Sequence, residues 1–498
     1  MIGVLSACAL GAGSQTEPAS DEHISRGVIV AVAAETPSIA PARHTALVGS
    51  FKNALTHNGL FRQAYDTLAP MPDLVASWYA VSDTVFEFTL HEGIMFHNGM
   101  EMTSECVVAS INYVRNYPYG AVAHGSVRSA EAIDRYTFRL DTGMPNAMLF
   151  YDLSHQVNSI MPLALIEAGH DFTLAPIGSG PFYFYEWDFG NSLTFRRFDN
   201  YFDKNRQPIV DYIHWRIIPE GTSRTLALEN NEIDLVIDVA LPDVQRLEEN
   251  PNITVAQRPH TRFSYILINN DLPQFSNVYA RRAIDMALNK EAMLTASVEG
   301  FGEPLWQMTP PVFQGSSAEG AGSFDPNGAR ALLEEHGINP TDLAFEMTVY
   351  SEETRRRAEV VQANLADIGI PTTIAMVDIA VWLGTTHDGT FEAALGSITA
   401  PNMLMFMRGT MHLAAIPSPN SGRIRNQELT DLIDMAIATI DTNARIALLE
   451  QASIIANEHV GFIPTNTNVT LRAFNSNLVV PEIDARGATN MNMIYWLK

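Results

Sequence analysis

The chain has 498 residues, of which 46% are hydrophobic and 17% charged, and its net charge is −25. A single core stops growing near roughly 250–300 residues, so this length predicts more than one domain. The strong acidity excludes nucleic acid and anionic membrane as general partners, because both are bound through clustered lysines and arginines.

Cysteine usage and the N-terminus point to the cell envelope. Cys8 and Cys106 are the only cysteines, which excludes a disulfide framework and a cysteine-based zinc site. The run Leu5-Ser-Ala-Cys8 resembles a bacterial lipoprotein processing site, although the seven residues before Cys8 include no basic one. We therefore predict an acylated Cys8, followed by a small, polar tether up to residue 25. No apolar run reaches the ~18–20 residues of a spanning helix.

The first half mixes predicted strands and helices without a repeating βα period. Apolar alternation and β-branched runs predict strands at Val28–Ala33, Val85–Leu90, Ile94–Gly99, Tyr136–Leu140, Ser192–Phe198, Ile213–Ile218 and Glu232–Ile237. Helical spacing and capping residues predict helices at Leu47–Phe61, from Thr103 or Ser104 to about Tyr117, and at Thr222–Asn230.

A short apolar run past the middle, Phe263–Asn270, is predicted as a buried strand that carries the chain from one lobe to the other. Ile463–Leu471 is the predicted return strand. Between them, alternating segments predict a βαβ-like lobe. Its predicted helices are Val278–Asn289, Gly328–His336, Glu353–Ile368, Leu429–Ile440 and Thr442–His459, and its predicted strands are Ala344–Tyr350 and Thr372–Val377.

Nine ordered stretches of the chain resemble one family. These stretches are Pro72–Trp78, Phe86–Gly99, Thr103–Ile111, Pro176–Phe182, Arg196–Phe202, Arg224–Asp234, Ala280–Lys290, Phe324–Leu333 and Ala358–Ile370. Together they cover about residues 28–475 and resemble the extracytoplasmic solute-binding proteins of ABC importers, in the peptide, nickel and opine group. Most of these residues are expected to build the scaffold and not to contact the ligand.

The resemblance implies an α/β, two-lobed fold of the periplasmic-binding-protein type, with an extra subdomain inserted in lobe I and a ligand cleft between the lobes. The implied boundaries are 1–25 for the signal remnant and tether, 26–264 for lobe I with its inserted subdomain at about 55–175, 265–468 for lobe II, and 469–498 for the return to lobe I. Ligand binding would stabilise the closed form, which a membrane permease recognises. No cofactor, catalysis or nucleic acid is implied, and a monomer is expected.

The segment after Phe391–Leu395 bears on the class of ligand. Peptide-binding relatives carry a Trp and an Asp after the equivalent of Phe391–Leu395, and the Asp pairs with the peptide amine. The segment Gly396–His412 contains neither, so an amine would lose a charge-assisted partner of roughly 1.5–3 kcal/mol. Met403, Met405, Met407 and Met411 alternate there and are interpreted either as an adaptable apolar lining or as core.

The nickel-binding branch offers an alternative. It resembles this chain around Trp382, Phe391 and Asn457–Pro464, and its pocket holds a metal chelate with aromatic residues, arginines and a His. His412 follows the methionine run and is a candidate ligand in a site of soft donors for a metal or a metal chelate. The residues expected to contact the solute are Arg43, His44, Tyr117, Tyr119, His155, Trp382, Asn402, Met405 and Thr489.

The predicted function is a cell-envelope receptor that captures peptides or a related small solute for an ABC permease. The alternatives are a nickel or metal-chelate receptor, a binding protein that never meets a permease, and a secreted metallohydrolase. The last is disfavoured because His91 and His97 lack the i, i+4 helical spacing of a zinc protease, and Gly178-Ser-Gly180 lacks the spacing of a serine hydrolase.

Overall fold

The computed structural model describes residues 26–36, 38–41, 47–117, 126–481 and 483–497. The predictions for Cys8, Arg43, His44 and Tyr119 lie outside these residues. Within the described ranges, no helix combines the length and the apolar character needed to cross a membrane.

The strands of the structure differ in burial, since Val85–Leu90 alternates buried and half-buried side chains whereas the first four residues of Ala393–Thr399 are all buried. Their bounds are β1 Val28–Val32, β2 Phe61–Gln63, β3 Pro70–Pro72, β4 Val75–Ala80, β5 Val85–Leu90, β6 Ser129–Ala132, β7 Thr137–Asp141, β8 Phe182–Asp188, β9 Ser192–Arg197, β10 Tyr212–Ile217, β11 Leu235–Val236, β12 Ile253–Ile268, β13 Glu303–Pro304, β14 Phe345–Val349, β15 Thr372–Met376, β16 Ala393–Thr399, β17 Ile463–Asn475, β18 Leu478–Val479 and β19 Tyr495–Trp496.

Helices pack on both faces of the main sheet and around the smaller sheets. Their bounds are α1 Leu47–Thr56, α2 Ser104–Val114, α3 Met148–Leu153, α4 Leu163–Glu167, α5 Gly221–Glu229, α6 Val244–Glu248, α7 Pro273–Ser276, α8 Val278–Ala287, α9 Lys290–Val298, α10 Pro326–Glu335, α11 Glu352–Asp367, α12 Ile379–Asp388, α13 Met403–Thr410, α14 Gln427–Ala438 and α15 Thr442–His459.

One mixed sheet runs through the molecule in the order β15-β14-β16-β12-β17-β11-β1-β10-β9-β8, with β13 paired to β17. We call the part around β1 and β8–β11 lobe I, and the part around β14–β16 lobe II. The strands β12 and β17 pair with each other and belong to both lobes. The fold is therefore the two-lobed α/β arrangement that was predicted.

The crossing between the lobes lies inside β12 and β17. The register of this antiparallel pair is irregular between Pro259 and Phe263. Phe263–Ile268 pairs with β16, so the predicted crossing strand is the lobe II half of a longer strand that begins at Ile253. The first half of β12 was not predicted because it contains Pro259. Proline has no N–H to donate to a neighbouring strand, so it argues against a strand except at an edge or an irregularity.

The inserted subdomain, which comprises β4–β7 with helices α2–α4, has its own sheet and core. The sheet order is β4-β5-β7-β6, and Phe88 stacks on Phe138 with ring centroids 5.2 Å apart. Ile94–Gly99, predicted as a strand, forms turns closed by an isolated bridge between Met95 and Glu101. Asn98 and Gly99 make this turn, and Gly99 has a φ of 81°.

Several of the resemblance motifs meet in one buried polar network. Asn58 donates to Asp73 at 2.9 Å and accepts from the Ser179 hydroxyl at 3.2 Å, and the Arg206 guanidinium pairs with Asp73. Gly178 and Gly180 are required here, because a Cβ at either position would lie within 2.4 Å of α1 backbone atoms. The motif residues Asp73 and Ser179, with Asn58 and Arg206, therefore join the inserted subdomain to lobe I.

Asp152 of α3 gives the subdomain a predicted pH dependence. Burial raises the pKa of Asp152 to about 7, against the opposing effects of the Ser126 hydroxyl and Arg408. The folded chain thus binds a proton that the unfolded chain releases near pH 4, so this stabilisation is present below pH 4 and is lost as the pH rises through 7. We expect Asp152→Asn to stabilise the protein by about 2–4 kcal/mol at pH 8 and to change little at pH 4.

Thermal melts of wild type and Asp152→Asn between pH 4 and 8 measure this difference. Asp134→Asn in the same subdomain is the matched control with the opposite sign, because backbone hydrogen bonds from Tyr136 and Thr137 lower the pKa of Asp134. A gain for Asp152→Asn that is equal at both ends of the pH range would contradict the assignment.

Candidate functional site

The register of the main sheet places a cleft between the lobes. β1, β10 and β11 are parallel and end towards the crossing at Val32, Ile217 and Val236. β14, β15 and β16 are parallel as well and end at Val349, Met376 and Thr399, with Thr399 opposite Arg262 of β12. The carboxyl ends of both parallel sets therefore face each other across β12 and β17, which is where open α/β sheets bind ligands.

Three helices of lobe II begin at this edge, one after each parallel strand. Ser351 caps α11, Asp378 precedes α12 and Asn402 caps α13. Arg262 lies at the same edge, where its Nε and Nη2 donate to the Ser397 hydroxyl at 2.9 and 2.6 Å. The lobe II side of the cleft thus presents cationic and dipolar groups.

Behind this edge, lobe II contains an apolar cavity of about 340 Å³, which we call the aromatic cavity. Its size lies in the range of small-ligand sites. It is lined by Tyr265, Leu267, Trp382, Leu383, Thr386, His387, Ile398, Phe406, Thr410, Ser418, Pro419, Ser421, Gly422, Ile424 and Phe462. Leu383, His387, Ser418 and Pro419 are exposed at its mouth.

Trp382 is the lining residue of the aromatic cavity that has an unpartnered polar atom. It is 8% exposed, and its indole Nε1 has no hydrogen-bond partner. The ring lies against Gly396, where a Cβ would be 2.8 Å from it, and Tyr350 packs edge-on at 5.2 Å between centroids. A buried N–H without an acceptor costs roughly 1–3 kcal/mol, so an acceptor that reaches Trp382 Nε1 on ligand binding would be stabilising.

Lobe I contains a second cavity of about 190 Å³ beside the inserted subdomain, which we call the polar cavity. Its polar lining comprises Asn53, His57, Asn58, Arg62, Gln63, Tyr65, Asp73, Ser154, His155, Gln156, Ser159, Arg206, Asp484, Arg486, Thr489, Asn490 and Asn492. Three buried polar atoms in its wall lack a hydrogen-bond partner, namely Asn53 Oδ1, His57 Nε2 and Gln63 Oε1. The cavity is therefore suited to a polar group or ordered water.

Both histidines of the polar cavity are neutral near pH 7. Burial lowers the pKa of His57 to about 3, and the neighbouring His97 adds to this effect. Burial and then Arg486 lower the pKa of His155 to about 4. Since His155 Nδ1 accepts from the Val157 N–H at 3.3 Å, its proton is on Nε2, which leaves one donor for a ligand.

Two of the expected contact residues line the polar cavity, and one lines the aromatic cavity. His155 and Thr489 belong to the first and Trp382 to the second. Thr489 accepts from Arg472 Nε at 3.3 Å, which fixes its hydroxyl.

The other expected contact residues in the described part of the chain lie elsewhere. Asn402 caps α13 through the Met405 N–H and borders a crevice of about 20 Å³. Met405 is half-buried against the lobe II core and lines neither cavity, and Tyr117 bonds to Tyr113 in a separate core. Tyr117 lies apart because the chain at 104–114 forms a helix that faces the subdomain.

The methionine run belongs to the core. Met403, Met407 and Met411 are at most 3% exposed and follow helical spacing from the start of α13 to the residue after its end, not the alternation of a strand. His412 caps the next turn through Ala414 and pairs with Asp434 at 3.1 Å. Across the described residues, no group of three or more His, Cys, Asp or Glu side chains is arranged to hold a metal ion.

Sequence reasoning missed the aromatic lining. Tyr265 alternates with Phe263 and Leu267 along β12, so period-two alternation could have placed all three on one face. Phe406 and Phe462 carried no such signal, because the sequence does not indicate which separate helices and loops meet.

A family model described as "Bacterial extracellular solute-binding proteins, family 5 Middle" matches residues 69–407. The chain is 25% identical over 458 residues to heme-binding protein A of Haemophilus influenzae, covering 83% of each chain. It is 25% identical over 439 residues to the dipeptide-binding protein of Escherichia coli, covering 81% of this chain and 82% of the relative.

A solved structure supports the fold. The ABC transporter-associated periplasmic binding protein DppA of Helicobacter pylori, in complex with the peptide STSA, superimposes with a TM-score of 0.79 at 24% identity. The superposition covers 96% of this chain and 99% of that one.

Proposed function

Since the chain belongs to family 5 of the bacterial extracellular solute-binding proteins, we propose that it captures a peptide or related small solute between its lobes and delivers it to an ABC permease. Proteins of this family bind solutes outside the cytoplasm. The observation that carries the ligand proposal is the aromatic cavity, which is lined by Trp382, a residue whose buried N–H has no partner.

The proposed solute has an apolar part and a polar part. Its apolar part enters the aromatic cavity and offers an acceptor to Trp382 Nε1, and its polar part faces lobe I, where His155, Arg486 and Thr489 line the polar cavity. Ala400-Pro-Asn402 follows β16 without an acidic side chain, so a free amine has no carboxylate there. Small peptides with apolar side chains match this pattern, and metal chelates are the competing class.

Membership of the family also implies closure of the lobes and attachment at the membrane. A receptor of this kind needs no catalytic group, and the lobes supply binding and closure only. Cys8 is proposed as the lipid attachment site that would hold the receptor at the outer face of the cytoplasmic membrane. The proposed permease contact requires the closed form, as ligand-driven closure implies.

Native mass spectrometry of protein purified without refolding tests the ligand class directly. We expect a non-covalent adduct in the mass range of small peptides. A thermal-shift panel of dipeptides, Ni(II)–histidine and an iron porphyrin then separates the classes, because a ligand at ~100 times its Kd adds about 2.7 kcal/mol. Cleavage of the peptides, lost on adding a chelator, would contradict the receptor function.

Trp382 has a predicted effect on affinity. Trp382→Ala removes a buried aromatic wall of the cavity and its N–H donor, so we expect solute binding to weaken about 10- to 100-fold. Trp382→Phe keeps most of the packing and should recover part of the loss. Isothermal titration with the best peptide of the panel measures both.

The control for Trp382 is Trp187→Ala in lobe I. Trp187 lines neither cavity and donates to Glu35, so this variant should bind like wild type. Unchanged affinity in Trp382→Ala would remove the aromatic cavity from the ligand site.

A further inference from the structure

The short helix α3 lies between two hydrophobic cores. Leu149 and Leu153 are fully buried in the core of the inserted subdomain, to which α3 belongs. Met148, one residue before Leu149, is 1% exposed and packs in the core of lobe II. Tyr151 packs against that same lobe II core. The inserted subdomain therefore places two side chains in the opposite lobe.

Lobe II contributes the turn between α14 and α15 to this contact. Ile440 of this turn packs against the core of the inserted subdomain. The carbonyl of Ile437, in the last turn of α14, accepts from the Ala147 N–H at 2.8 Å. Carbonyls at a helix end lack a partner within the helix, so this contact satisfies one of them.

Arg445 holds this turn in shape. Its Nη1 donates to Thr439 O at 3.1 Å and to Ile440 O at 2.9 Å, and its guanidinium lies 6.0 Å from the centre of the Tyr151 ring. The turn is thus braced from within lobe II before the subdomain meets it. Hydrogen bonds within lobe II therefore fix the conformation of this turn, which we call the seat of α3.

The same seat is connected to the aromatic cavity through α13. Phe406 and Thr410 of this helix line the cavity. Met403 and Leu404 border the crevice that Tyr151 shares. The aromatic cavity and the crevice beside Tyr151 are therefore lined by the same helix of eight residues.

We propose that Ala147–Tyr151 is a closure latch that seats on the α14–α15 turn when the lobes close and leaves it when they open. The subdomain is held to lobe I by the polar network around Asn58 and Asp73, so opening the cleft must separate these apolar contacts. Their burial favours the closed form even before a solute binds, and a solute that orders α13 favours it further. The latch lies outside both cavities and adds to the solute contacts.

Hydrogen–deuterium exchange and small-angle scattering of the full chain test the latch with three identically purified proteins. Met148→Ala should open the lobes, so peptides covering 144–153 and 437–446 should exchange about 3- to 30-fold faster, and the radius of gyration should increase. Met144→Ala is the matched control, because Met144 is 66% exposed on the same segment and should behave like wild type.

Ile440→Ala provides a second variant from the lobe II side. It should accelerate exchange in the same two regions, and thermal melts confirm that each variant is folded. If Met148→Ala and Ile440→Ala both leave exchange and scattering unchanged, the contact does not control closure and the proposal is wrong. If Met148→Ala accelerates exchange only in the inserted subdomain and Ile440→Ala only in lobe II, the contact does not couple the two, and the proposal is wrong as well. None of these measurements uses a solute, so the result is independent of the ligand proposal.

Discussion

Replacing Lys290 by methionine should lower the free energy of unfolding by about 3–5 kcal/mol. Lys290 is fully buried at the start of α9, where its Nζ is 2.6 Å from Asp285 Oδ1 and donates to Leu305 O at 3.0 Å. The Asp285 side chain is 4% exposed, so the variant leaves a carboxylate buried without its cation. Breaking one half of a buried pair is costly because the remaining charge stays desolvated.

Urea unfolding followed by circular dichroism measures this loss in the transition of lobe II, since a chain of several domains can unfold in steps. Lys204→Met is the control, because Lys204 is exposed and should change stability by less than about 0.5 kcal/mol. The double variant Asp285→Leu with Lys290→Met should recover part of the loss, as it removes both charges. A loss below about 1 kcal/mol for Lys290→Met would contradict the prediction.

Arg472→Met should have a similarly large effect, about 3–5 kcal/mol, and should also damage the polar cavity. Arg472 lies in β17 and is 3% exposed. Its guanidinium bonds to the carbonyls of Ile237, Leu471 and Gly487 and to the Thr489 hydroxyl. Burial lowers its pKa to about 10, so it stays charged at neutral pH.

The loss of Arg472 would leave these acceptors buried without donors and would free the segment around Thr489. We therefore expect faster amide exchange over residues 484–492 in addition to the loss measured in urea. Arg472→Lys should recover only part, because an ammonium cannot reproduce the fork of the guanidinium. Arg330→Met, at an exposed arginine of α10, should be close to neutral, and an Arg472→Met variant as stable as this control would disprove the role.

Secondary structure with a regular period was predictable from the sequence. The strand Val85–Leu90 and the helix Thr442–His459 have the predicted bounds, and most other elements differ by one to three residues at their ends. These segments have one buried face, so their pattern of apolar residues follows the element's own period.

The errors fall where burial does not follow a period. α12 was not predicted, and Ile379, Val381 and Leu383 on it are each at least 50% exposed, so its apolar residues mark no single face. The methionines of α13 happen to alternate, although the helix buries only those at spacing i, i+4 and i+8. The first half of β12 was hidden by Pro259, as described above.

The candidate site was predictable only in part. Trp382, His155 and Thr489 were singled out through the resemblance and do line cavities, but the walls around them come from segments far apart in the chain. No local pattern indicates that Phe462 would meet Tyr265, because that contact depends on where β17 begins. Local spacing constrains one element at a time, and a cavity is defined by several.

The two ends of the described chain meet on lobe I. The Arg26 guanidinium lies 3.2 Å from the centre of the Trp496 ring, and Trp496 Nε1 donates to Gly27 O at 3.0 Å. Both ends lie beside the start of β1, at the edge of the sheet opposite the carboxyl ends that face lobe II. A short linker between them would therefore allow circular permutation, and a fluorescent reporter or a sensor surface attached at either end would leave the mouth of the cleft unobstructed.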